Sequence, residues 1–567
     1  MHPERDSAII NHPNPGPRAS LSRSDWRFLL PGAPSGSFQH LILLGGPAGL
    51  GERLVEVGFA RRVSDELQEG RCADCVVVLH EARVALSEAA GCLISGGVLY
   101  YEVDRRSASR LALTPKRVHR LLRALALTLT GAYWVVPNFT QCKRYLPLDV
   151  PAALRWYLTT LFPAMTPLDR LFEICIRTLI GFNSRRLAPF VPCYSVTAIA
   201  GPAQDVAPSV LGLPGLPGEL QRPGLRPFLL TSGYDDGSRV VMLPFTPESV
   251  QPVAVLKISR LDAFNINTER EQETLHTVRA RLDATMRQTI PRPLGVLRYG
   301  ALTVGVESCA AGHSLVVSSG RWGAPAQRKL DDLRLGARWL GEFHRQTQIK
   351  RLPWNEQAIR TWIEAPLAAF THAFGTRAHE DRLFTMLRAH ARALTGSSLL
   401  IVWQHNDFGP WNLYRADQKL QVIDWEFGHD RDRHRFGPAL CDLLYFVTTW
   451  SVIAHRLRTR TAQLRAFRRL FFEPEGAGVS AKVIHHVMAE YMASLAIDQH
   501  FFPLLLVYTW VERALDRFTR QRISAKEVVE ARVGNRFVDY IGVIAEHSDR
   551  LFTMVAREPC AGGKRSC

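Results

Sequence analysis

The amino-acid sequence predicts an α/β domain followed by an α+β domain, and three observations predict this. Between about residues 25 and 150, apolar strand patterns alternate with helices, as in a parallel sheet with helical crossovers. After residue 227, closely spaced strands come first and a long helical region follows, which is typical of α+β structure. The chain has 567 residues, more than a single hydrophobic core accommodates, so we expect more than one domain.

The first domain is predicted from three strand–helix alternations. Each predicted strand is a short apolar run, and each predicted helix carries apolar residues on one face. Further helical patterns cover 154–162 and 167–182. The predicted strands are 40–46, 76–79 and 96–105, and the predicted helices are 49–60, 84–95 and 114–129.

Domain boundaries follow from composition. Residues 1–24 and 558–567 are polar and are expected to be disordered tails. The segment 201–226 is rich in proline and glycine, which predicts a linker between the domain at 25–200 and the domain at 227–557.

The second domain begins with strands joined by short connections, which favours antiparallel pairing. A charged helix is predicted at 268–282, and the chain is mostly helical from about 325 to 555, interrupted by 399–428. The predicted strands are 228–233, 238–245, 253–258, 294–299 and 301–308.

Composition and cysteine content exclude several classes of protein. The chain is 46% hydrophobic and 22% charged, as in ordinary globular domains. Its apolar runs are shorter than the roughly 18 residues of a membrane span, and the first 24 residues do not read as a secretion signal. We therefore expect no membrane span and a cytoplasmic location. Ten cysteines are too sparse for a disulfide scaffold, and Cys72 and Cys75 are interpreted as a reduced, partly buried pair.

The charge is strongly basic. Lys+Arg number 70 and Asp+Glu 53, so the formal net charge is +17, which suits an anionic partner such as a nucleotide, an anionic lipid face or nucleic acid. The arginines clustered between 456 and 469 are interpreted as a solvated helix face. No nucleic-acid module is present, so nucleic acid is not expected as a partner. The sequence does not indicate an oligomeric state.

The segment 403–427 carries the residues with the most chemical meaning. A strand at 399–402 leads to His405, Asn406 and Asp407; Asn412 follows, and a second short strand ends at Asp424. Polar groups at strand ends on either side of a hairpin can converge. Phosphoryl transfer needs one carboxylate to position a hydroxyl, and oxygen ligands from a carboxylate and an amide to hold magnesium.

These residues resemble the catalytic segment of the aminoglycoside phosphotransferase family and its relatives, the choline and ethanolamine kinases. The resemblance covers residues 225–555 and implies a bilobal, protein-kinase-like fold that uses ATP and Mg²⁺. It implies that Asp407 accepts or orients the substrate hydroxyl proton, that His405 braces the loop, and that Asn412 and Asp424 bind magnesium. Asn406 stands where many aminoglycoside kinases have glycine and where choline kinases have asparagine.

The resemblance also implies a nucleotide-binding half upstream. Lys257, at the end of a strand, would contact the α- and β-phosphates, with Glu271 as its ion-pair partner and Glu273 as the alternative. Ser232 and Gly233 lie in a loop (231–238) that either covers phosphates or is an ordinary hairpin turn. Glu307 and Cys309 occupy the hinge position, where main-chain groups of 307–309 would contact adenine.

Further positions in this domain are interpreted less specifically. Asp442 is expected to brace the catalytic loop, and His344 to be a packed helix residue. Glu426, Asp430 and Asp432 form an acidic group that either attracts a cationic substrate or consists of ordinary loop charges.

Residues 38–105 resemble an incomplete class I methyltransferase core, which predicts a Rossmann-like three-layer domain. A strand ending in glycines precedes a helix, as in a nucleotide-binding βα unit. The glycine spacing departs from the usual pattern, and Asp65 and Glu66, the candidates for ribose binding, follow no clear strand. We favour a degenerate fold used for packing or recognition over an active methyltransferase that binds S-adenosylmethionine.

The sequence therefore predicts an ATP-dependent phosphotransferase that transfers the γ-phosphate to a hydroxyl of a small molecule: a sugar, an aminoglycoside or an amino alcohol. Two alternatives stay open. One is a non-catalytic kinase-like scaffold, and the other is a methyltransferase with a regulatory kinase-like domain.

Overall fold

The structure, a computed structural model, describes residues 21–31, 38–107, 110–182, 190–202, 209–231, 233, 236–425, 435–473, 478–524 and 532–556. The chain forms two compact units. The first contains residues 1–276 and 291–311, and the second contains residues 277–290 and 312–567. The predicted combination of α/β and α+β structure is confirmed as one large mixed sheet and many helices.

The first unit is built on a single twelve-stranded sheet, whose strands lie in the order β11-β12-β10-β9-β8-β6-β5-β7-β4-β3-β1-β2. In chain order the strands are β1 (Phe38–Leu44), β2 (Ala60–Ser64), β3 (Ala73–Val78), β4 (Leu93–Asp104), β5 (Leu127–Val136), β6 (Arg144–Pro147), β7 (Cys193–Ala200), β8 (Arg226–Leu230), β9 (Val240–Phe245), β10 (Val255–Ile258), β11 (Pro293–Tyr299) and β12 (Leu302–Glu307).

The N-terminal end of this sheet is parallel. Strands β2, β1, β3 and β4 run in the same direction, and β7 runs antiparallel between β4 and β5. Parallel neighbours need crossovers, which are supplied in part by short helices. The helices of this part are α1 (Leu50–Glu56), α2 (Leu86–Gly91), α3 (Pro115–Ala124), α4 (Pro151–Thr160) and α5 (Pro167–Phe182). The Rossmann-like assignment stays a prediction.

The sheet continues into the second predicted domain without a break. Strand β6 pairs with β8, with Tyr145 opposite Leu229, and β8 to β12 form an antiparallel continuation. The predicted linker therefore leads from one strand of the sheet to another. Its apolar residues are buried between its prolines, among them Val210, Leu211 and Leu220. The composition of this segment correctly predicted irregular backbone. The segment does not separate two domains, however, because the strands before and after it belong to the same sheet.

The segment before β1 is ordered where a tail was expected. Residues Leu21–Leu29 form a 3₁₀ helix with seven buried residues, so the tail predicted at 1–24 is wrong for residues 21–24. The reason is a buried ion pair: Asp25 accepts hydrogen bonds from Arg260 at 2.9 and 2.6 Å. Trp26 stacks on Tyr100 with centroids 5.0 Å apart. Residues 1–20 and the predicted tail 558–567 lie outside the described residues.

One predicted helix was too long, and four strands of the large sheet were not predicted. The helix predicted at 114–129 ends at Ala124, and strand β5 begins at Leu127 after Ala126, which has a φ of 56°. The sequence did not indicate where the helix ends and the strand begins, because a short apolar run is compatible with both helix and strand periodicity. Strands β2, β5, β6 and β7 are the four that were not predicted.

The second unit is mostly helical and carries two small sheets. Helix α6 (Asn265–Arg281) passes from the first unit into the second. The small sheets have the orders β13-β16-β17 and β14-β15-β18, and their strands are β13 (His313–Ser314), β14 (Gln348–Pro353), β15 (Ser398–Trp403), β16 (Leu413–Ala416), β17 (Lys419–Val422) and β18 (Phe436–Pro438).

The helices of the second unit are α7 (Ala284–Arg287), α8 (Leu315–Gly320), α9 (Ala326–Gln346), α10 (Glu356–Ile359), α11 (Ala365–Phe374), α12 (Ala378–Ala393), α13 (Cys441–Ala454), α14 (Arg460–Phe472), α15 (Gly478–Ser494), α16 (Phe502–Ser524), α17 (Arg536–Glu546) and α18 (Ser548–Ala556). A π-helical turn, Arg360–Glu364, joins α10 to α11. Among the described residues, none of the helices combines the length and the apolar character of a bilayer span.

Candidate active site

The first group of predicted site residues centres on Lys257 in the first unit. Lys257 lies in β10 between β9 and β12, and its buried ammonium forms an ion pair with Glu271 of α6. Helix spacing favours Glu271 over Glu273 if Leu275 and Val278 lie in the core, and both residues are fully buried.

Two further charges complete a buried cluster around this pair. Arg239 donates to Glu271, and Glu307 of β12 has an oxygen 3.2 Å from the Lys257 ammonium. Burial raises the pKa of Glu307 to about 7, against the opposing effect of Lys257. The second carboxylate oxygen of Glu307 is buried with no hydrogen-bond partner. Two cations therefore face two carboxyl groups, one of which titrates near neutral pH.

The loop predicted to cover phosphates is held by residues of the N-terminal half. Ser232 lies outside the described residues. Gly233 is buried, and a Cβ there would lie 2.1 Å from the Ser238 side chain, so only glycine fits. Asp236 accepts a hydrogen bond from the Leu21 amide at 3.1 Å and from Arg53 at 2.7 Å.

The predicted hinge, residues 307–309, begins at the end of strand β12. Glu307 is the last residue of β12 and pairs with Val255 on one side and Pro293 on the other. The next amide, of Ser308, donates to the Arg292 carbonyl at 2.9 Å. Cys309 is half-buried, and burial raises the pKa of its thiol to about 12. The use of main-chain groups 307–309 for adenine stays a prediction.

The second group lies in the second unit, in the loop that follows β15. His405 is buried; its Nδ1 accepts from the Asp407 amide at 3.3 Å, and its Nε2 donates to the Ile423 carbonyl at 3.0 Å. Burial lowers the pKa of His405 despite the nearby carboxylates of Asp442 and Asp407. A neutral imidazole suits one accepting and one donating nitrogen. His405 thus ties the Asp407 loop to the segment that precedes Asp424.

The carboxylate of Asp407 is fixed by three donors. Tyr445 of α13 donates to Oδ1 at 3.1 Å, and Trp411 and Asn412 donate to Oδ2 at 3.0 and 2.9 Å. Three directed hydrogen bonds leave the carboxylate little rotational freedom. Sequence reasoning missed Tyr445 and Trp411, because Tyr445 lies on a later helix and Trp411 lies in the loop between Asp407 and Asn412 with no motif of its own.

Asn412 and Asp424 lie at the same end of a hairpin. Strands β16 and β17 pair with Leu413 opposite Val422, and the Ile423 amide donates to the Asn412 carbonyl at 3.0 Å. The Asn412 amide nitrogen is already committed to Asp407, including its main-chain oxygen at 2.9 Å. The Asn412 oxygen and the Asp424 carboxylate are hard oxygen donors, so these residues fit a magnesium ion.

Two residues of this loop have backbone angles that few residues adopt. Asn406 has a φ of 60° and Asp424 a φ of 67°. Asparagine and aspartate tolerate this region better than most residues. Backbone strain at these two positions, one beside Asp407 and one after strand β17, is typical of a functional site.

The Asp407 loop is supported from below by Asp442. Its two oxygens accept from the amides of His405 at 2.6 Å and Asn406 at 3.0 Å. Burial would raise the pKa of Asp442, but His344 beside it holds that pKa below the usual value. His344 is buried and bonded to Tyr491, so it is a packed helix residue with a second role as a brace.

Arg513 of α16 links the loop to the helical part of the unit. Its guanidinium donates to the Asn406 carbonyl and lies over the Tyr445 ring, 4.0 Å from the centroid. A small cavity of about 40 Å³ opens beside these residues. Its lining residues are Gln404, Asn406, Phe436, Gly437, Pro438, Cys441, Tyr508, Thr509, Glu512 and Arg513. The predicted acidic group Glu426, Asp430 and Asp432 lies outside the described residues.

Lys257 and Asp407, on which the two groups of residues centre, both lie in the part of the chain that a protein-family model matches. Residues 246–477 match the family model described as the phosphotransferase enzyme family (APH). The resemblance stated from the catalytic segment is thereby confirmed for this part of the chain. A search of curated protein sequences finds no match.

Three solved structures are similar to parts of this chain. A glucosamine kinase in complex with glucosamine, ADP and inorganic phosphate is 15% identical and covers 55% of this chain and 74% of its own, with a TM-score of 0.33. An amicoumacin kinase in complex with AMP-PNP, Ca²⁺ and its ligand is 12% identical over 55% of this chain and 86% of its own, with a TM-score of 0.31. A choline/ethanolamine kinase family protein from Mesorhizobium loti is 12% identical over 56% of this chain and 89% of its own, also at 0.31. Likeness at these TM-scores does not define an activity for this chain.

Proposed function

We propose that this protein is an ATP-dependent phosphotransferase that phosphorylates a hydroxyl group of a small molecule. The observation that carries the proposal is the Asp407 carboxylate, which is fixed by three donors and lies beside the Asn412 amide. A side chain held in this way is suited to orient a hydroxyl, because productive geometry requires that the accepting oxygen does not rotate. The family match over 246–477 supports the same reaction class.

Each residue has a distinct role in this proposal. Asp407 accepts the hydrogen bond of the acceptor hydroxyl and takes its proton as the phosphoryl group transfers. Asn412 and Asp424 would hold Mg²⁺, which when bound neutralises charge on the phosphates. Lys257, kept in position by Glu271, binds phosphate oxygens. His405 and Asp442 hold the loop and take no part in proton transfer.

The decisive experiment compares ADP release by the wild type with that of two variants. A panel of sugars, aminoglycosides and amino alcohols is screened with ATP and Mg²⁺. We expect Asp407→Ala and Asp407→Asn to reduce turnover at least about 10³-fold with any acceptor that the wild type uses. Glu219→Gln, at an exposed ion pair of the first unit, serves as the matched control and should retain activity. Equal turnover in the Asp407 variants and the wild type would refute the proposal.

The scaffold alternative is tested by ligand binding without turnover. A kinase should show a thermal shift with ATP that depends on Mg²⁺ and weakens in Asp424→Asn, since that residue is proposed to hold the ion. A scaffold should show no shift that depends on Mg²⁺.

One specific observation bears on the methyltransferase alternative and favours the packing role. At the carboxyl ends of β3 and β4, Glu102 accepts two hydrogen bonds from Arg23, at 2.6 and 2.8 Å. His80 stacks on Phe139 and lies 3.3 Å from Glu102, and burial is outweighed by Glu102 and Glu81, so that the pKa of His80 rises to about 9. Side chains from the chain itself thus occupy the positions next to Glu102 at this end of the sheet. Equilibrium binding of S-adenosylmethionine would contradict this proposal.

A further inference from the structure

Helix α5 (Pro167–Phe182) turns an apolar face to solvent. Leu168, Leu171, Phe172 and Ile174 are 76%, 56%, 42% and 48% exposed. Cys175 and Thr178 on the same side of the helix are exposed too. At 100° per residue these positions fall within one broad arc of the helix surface. Among the described residues, every other helix or strand carries at most one exposed large hydrophobic residue.

One acidic residue of the same helix is buried, whereas the two arginines that pair with it are partly exposed. Glu173 faces inward, with no exposed side-chain surface, and is paired with Arg170 at 2.6 Å and Arg177 at 3.2 Å. The other acid of the helix, Asp169, accepts a hydrogen bond from the Thr166 amide. Glu173 is therefore buried and Asp169 half-buried, whereas both guanidinium groups remain partly exposed along one border of the apolar face.

An apolar face bordered by arginines is the pattern of a helix that lies in the interface of an anionic bilayer. Apolar side chains enter the acyl boundary, and guanidinium groups remain among the lipid phosphates. The whole chain carries a formal net charge of +17, which would attract it to such a surface. We propose that this protein binds anionic membrane surfaces peripherally through α5.

The extent of the face favours a membrane over a second copy of the chain. The four large side chains expose roughly 400 Å² of apolar surface, which is the size of the largest patch on many monomers, and such patches are often functional. A stable dimer buries about 800 Å² on each partner, so this helix alone is too small to hold two copies together. A bilayer has no such minimum, because each inserted side chain contributes independently.

The test is sedimentation of the full-length protein with phosphatidylcholine vesicles, with and without phosphatidylserine. We expect binding that requires phosphatidylserine and weakens at high salt. Leu168→Glu combined with Leu171→Glu should weaken binding by about 10-fold or more for each leucine. Both positions are exposed, so the fold should persist. Leu111→Glu, at a residue 62% exposed and outside the helix, is the matched control and should bind like the wild type.

Three outcomes would overturn the proposal. The wild type fails to bind anionic vesicles at low salt, or the double variant binds as well as the wild type. Alternatively, sedimentation velocity shows a wild-type dimer that the double variant loses, with no vesicle binding by either protein. Phosphotransferase activity is not a readout here, so the result is independent of the proposed function.

Discussion

The buried carboxyl group of Glu307 makes a sharp prediction about pH. It lies at the end of β12 against the Lys257–Glu271 pair, and its pKa is raised to about 7 from 4.5, mainly by burial. A carboxyl group with a raised pKa binds its proton more tightly in the folded chain than in the unfolded chain. Between about pH 4.5 and pH 7 the folded state therefore holds more protons, and the free energy of unfolding falls as pH rises.

The size of this effect follows from the shift. A difference of one pKa unit is worth about 1.4 kcal/mol, so a shift from 4.5 to about 7 costs roughly 3 kcal/mol once the group is ionised in both states. Between pH 5 and pH 8 the cost should grow by about 2–3 kcal/mol. Glu307→Gln replaces the carboxyl group by a neutral amide of the same size. We expect this variant to be more stable than the wild type at pH 8 and similar to it at pH 5.

The assay is thermal unfolding of the wild type and the variant from pH 5 to pH 8. For a unit of this size the difference in Tm should reach roughly 5 °C at pH 8. Glu219→Gln removes a carboxyl group that is paired with Arg292 at the surface, and it should show no growing difference over the same range. A Tm difference between Glu307→Gln and the wild type that is constant with pH, or that shrinks as pH rises, would refute the reasoning.

Three other substitutions have definite expected outcomes. Tyr445→Phe removes the hydroxyl that holds Asp407 Oδ1, and should lower kcat about 10-fold with little change in KM for ATP in steady-state assays, because only the orientation of the carboxylate is lost. Asp25→Asn leaves the fully buried Arg260 without its counter-ion, and should destabilise the fold by about 3–5 kcal/mol in denaturant unfolding. Gly312→Ala places a Cβ 2.1 Å from a main-chain carbonyl oxygen at a φ of 91°. It should lower the free energy of unfolding in the same assay by about 1–3 kcal/mol.

Each of these has a matched control. Tyr194→Phe removes a buried hydroxyl bonded to the Leu113 carbonyl at 2.8 Å and should leave kcat unchanged; an equal loss in both tyrosine variants would contradict a specific role for Tyr445. Asp549→Asn breaks an exposed ion pair and should lower the free energy of unfolding by less than about 1 kcal/mol. Equal losses in Asp549→Asn and Asp25→Asn would contradict the large effect expected of the buried pair. Gly396 has a φ of 95° with open space around a new Cβ. If Gly396→Ala lowered the free energy of unfolding as much as Gly312→Ala, the close contact at Gly312 would not explain the loss.

The clustering of the predicted site residues around Asp407 was predictable because it depends on local sequence. His405, Asp407 and Asn412 lie within eight residues, and the fixed spacing places them on one turn of chain after a strand. The partner of Lys257 was also predictable, since helix periodicity selects Glu271 once Leu275 and Val278 are assigned to the core. In both cases the geometry is set by nearby residues.

The remaining features depend on contacts between distant parts of the chain. Tyr445 contacts Asp407 from a helix 38 residues further on, and Asp25 pairs with Arg260 across 235 residues. The prolines and glycines of the segment 201–226 correctly indicate irregular backbone. They do not reveal that strands on either side of it share one sheet, because β-pairing partners are not encoded in local composition.

The continuous sheet has a consequence for how the chain can be divided. The edge of β8 that would be the free border of a kinase-like fragment is hydrogen-bonded to β6, 80 or more residues earlier. A fragment that starts at residue 227 would leave that row of amide and carbonyl groups bare and able to join strands from other molecules. The strand that carries Lys257 therefore belongs to the same sheet as the strands before residue 201, and the chain cannot be cut at the segment 201–226 without exposing a sheet edge.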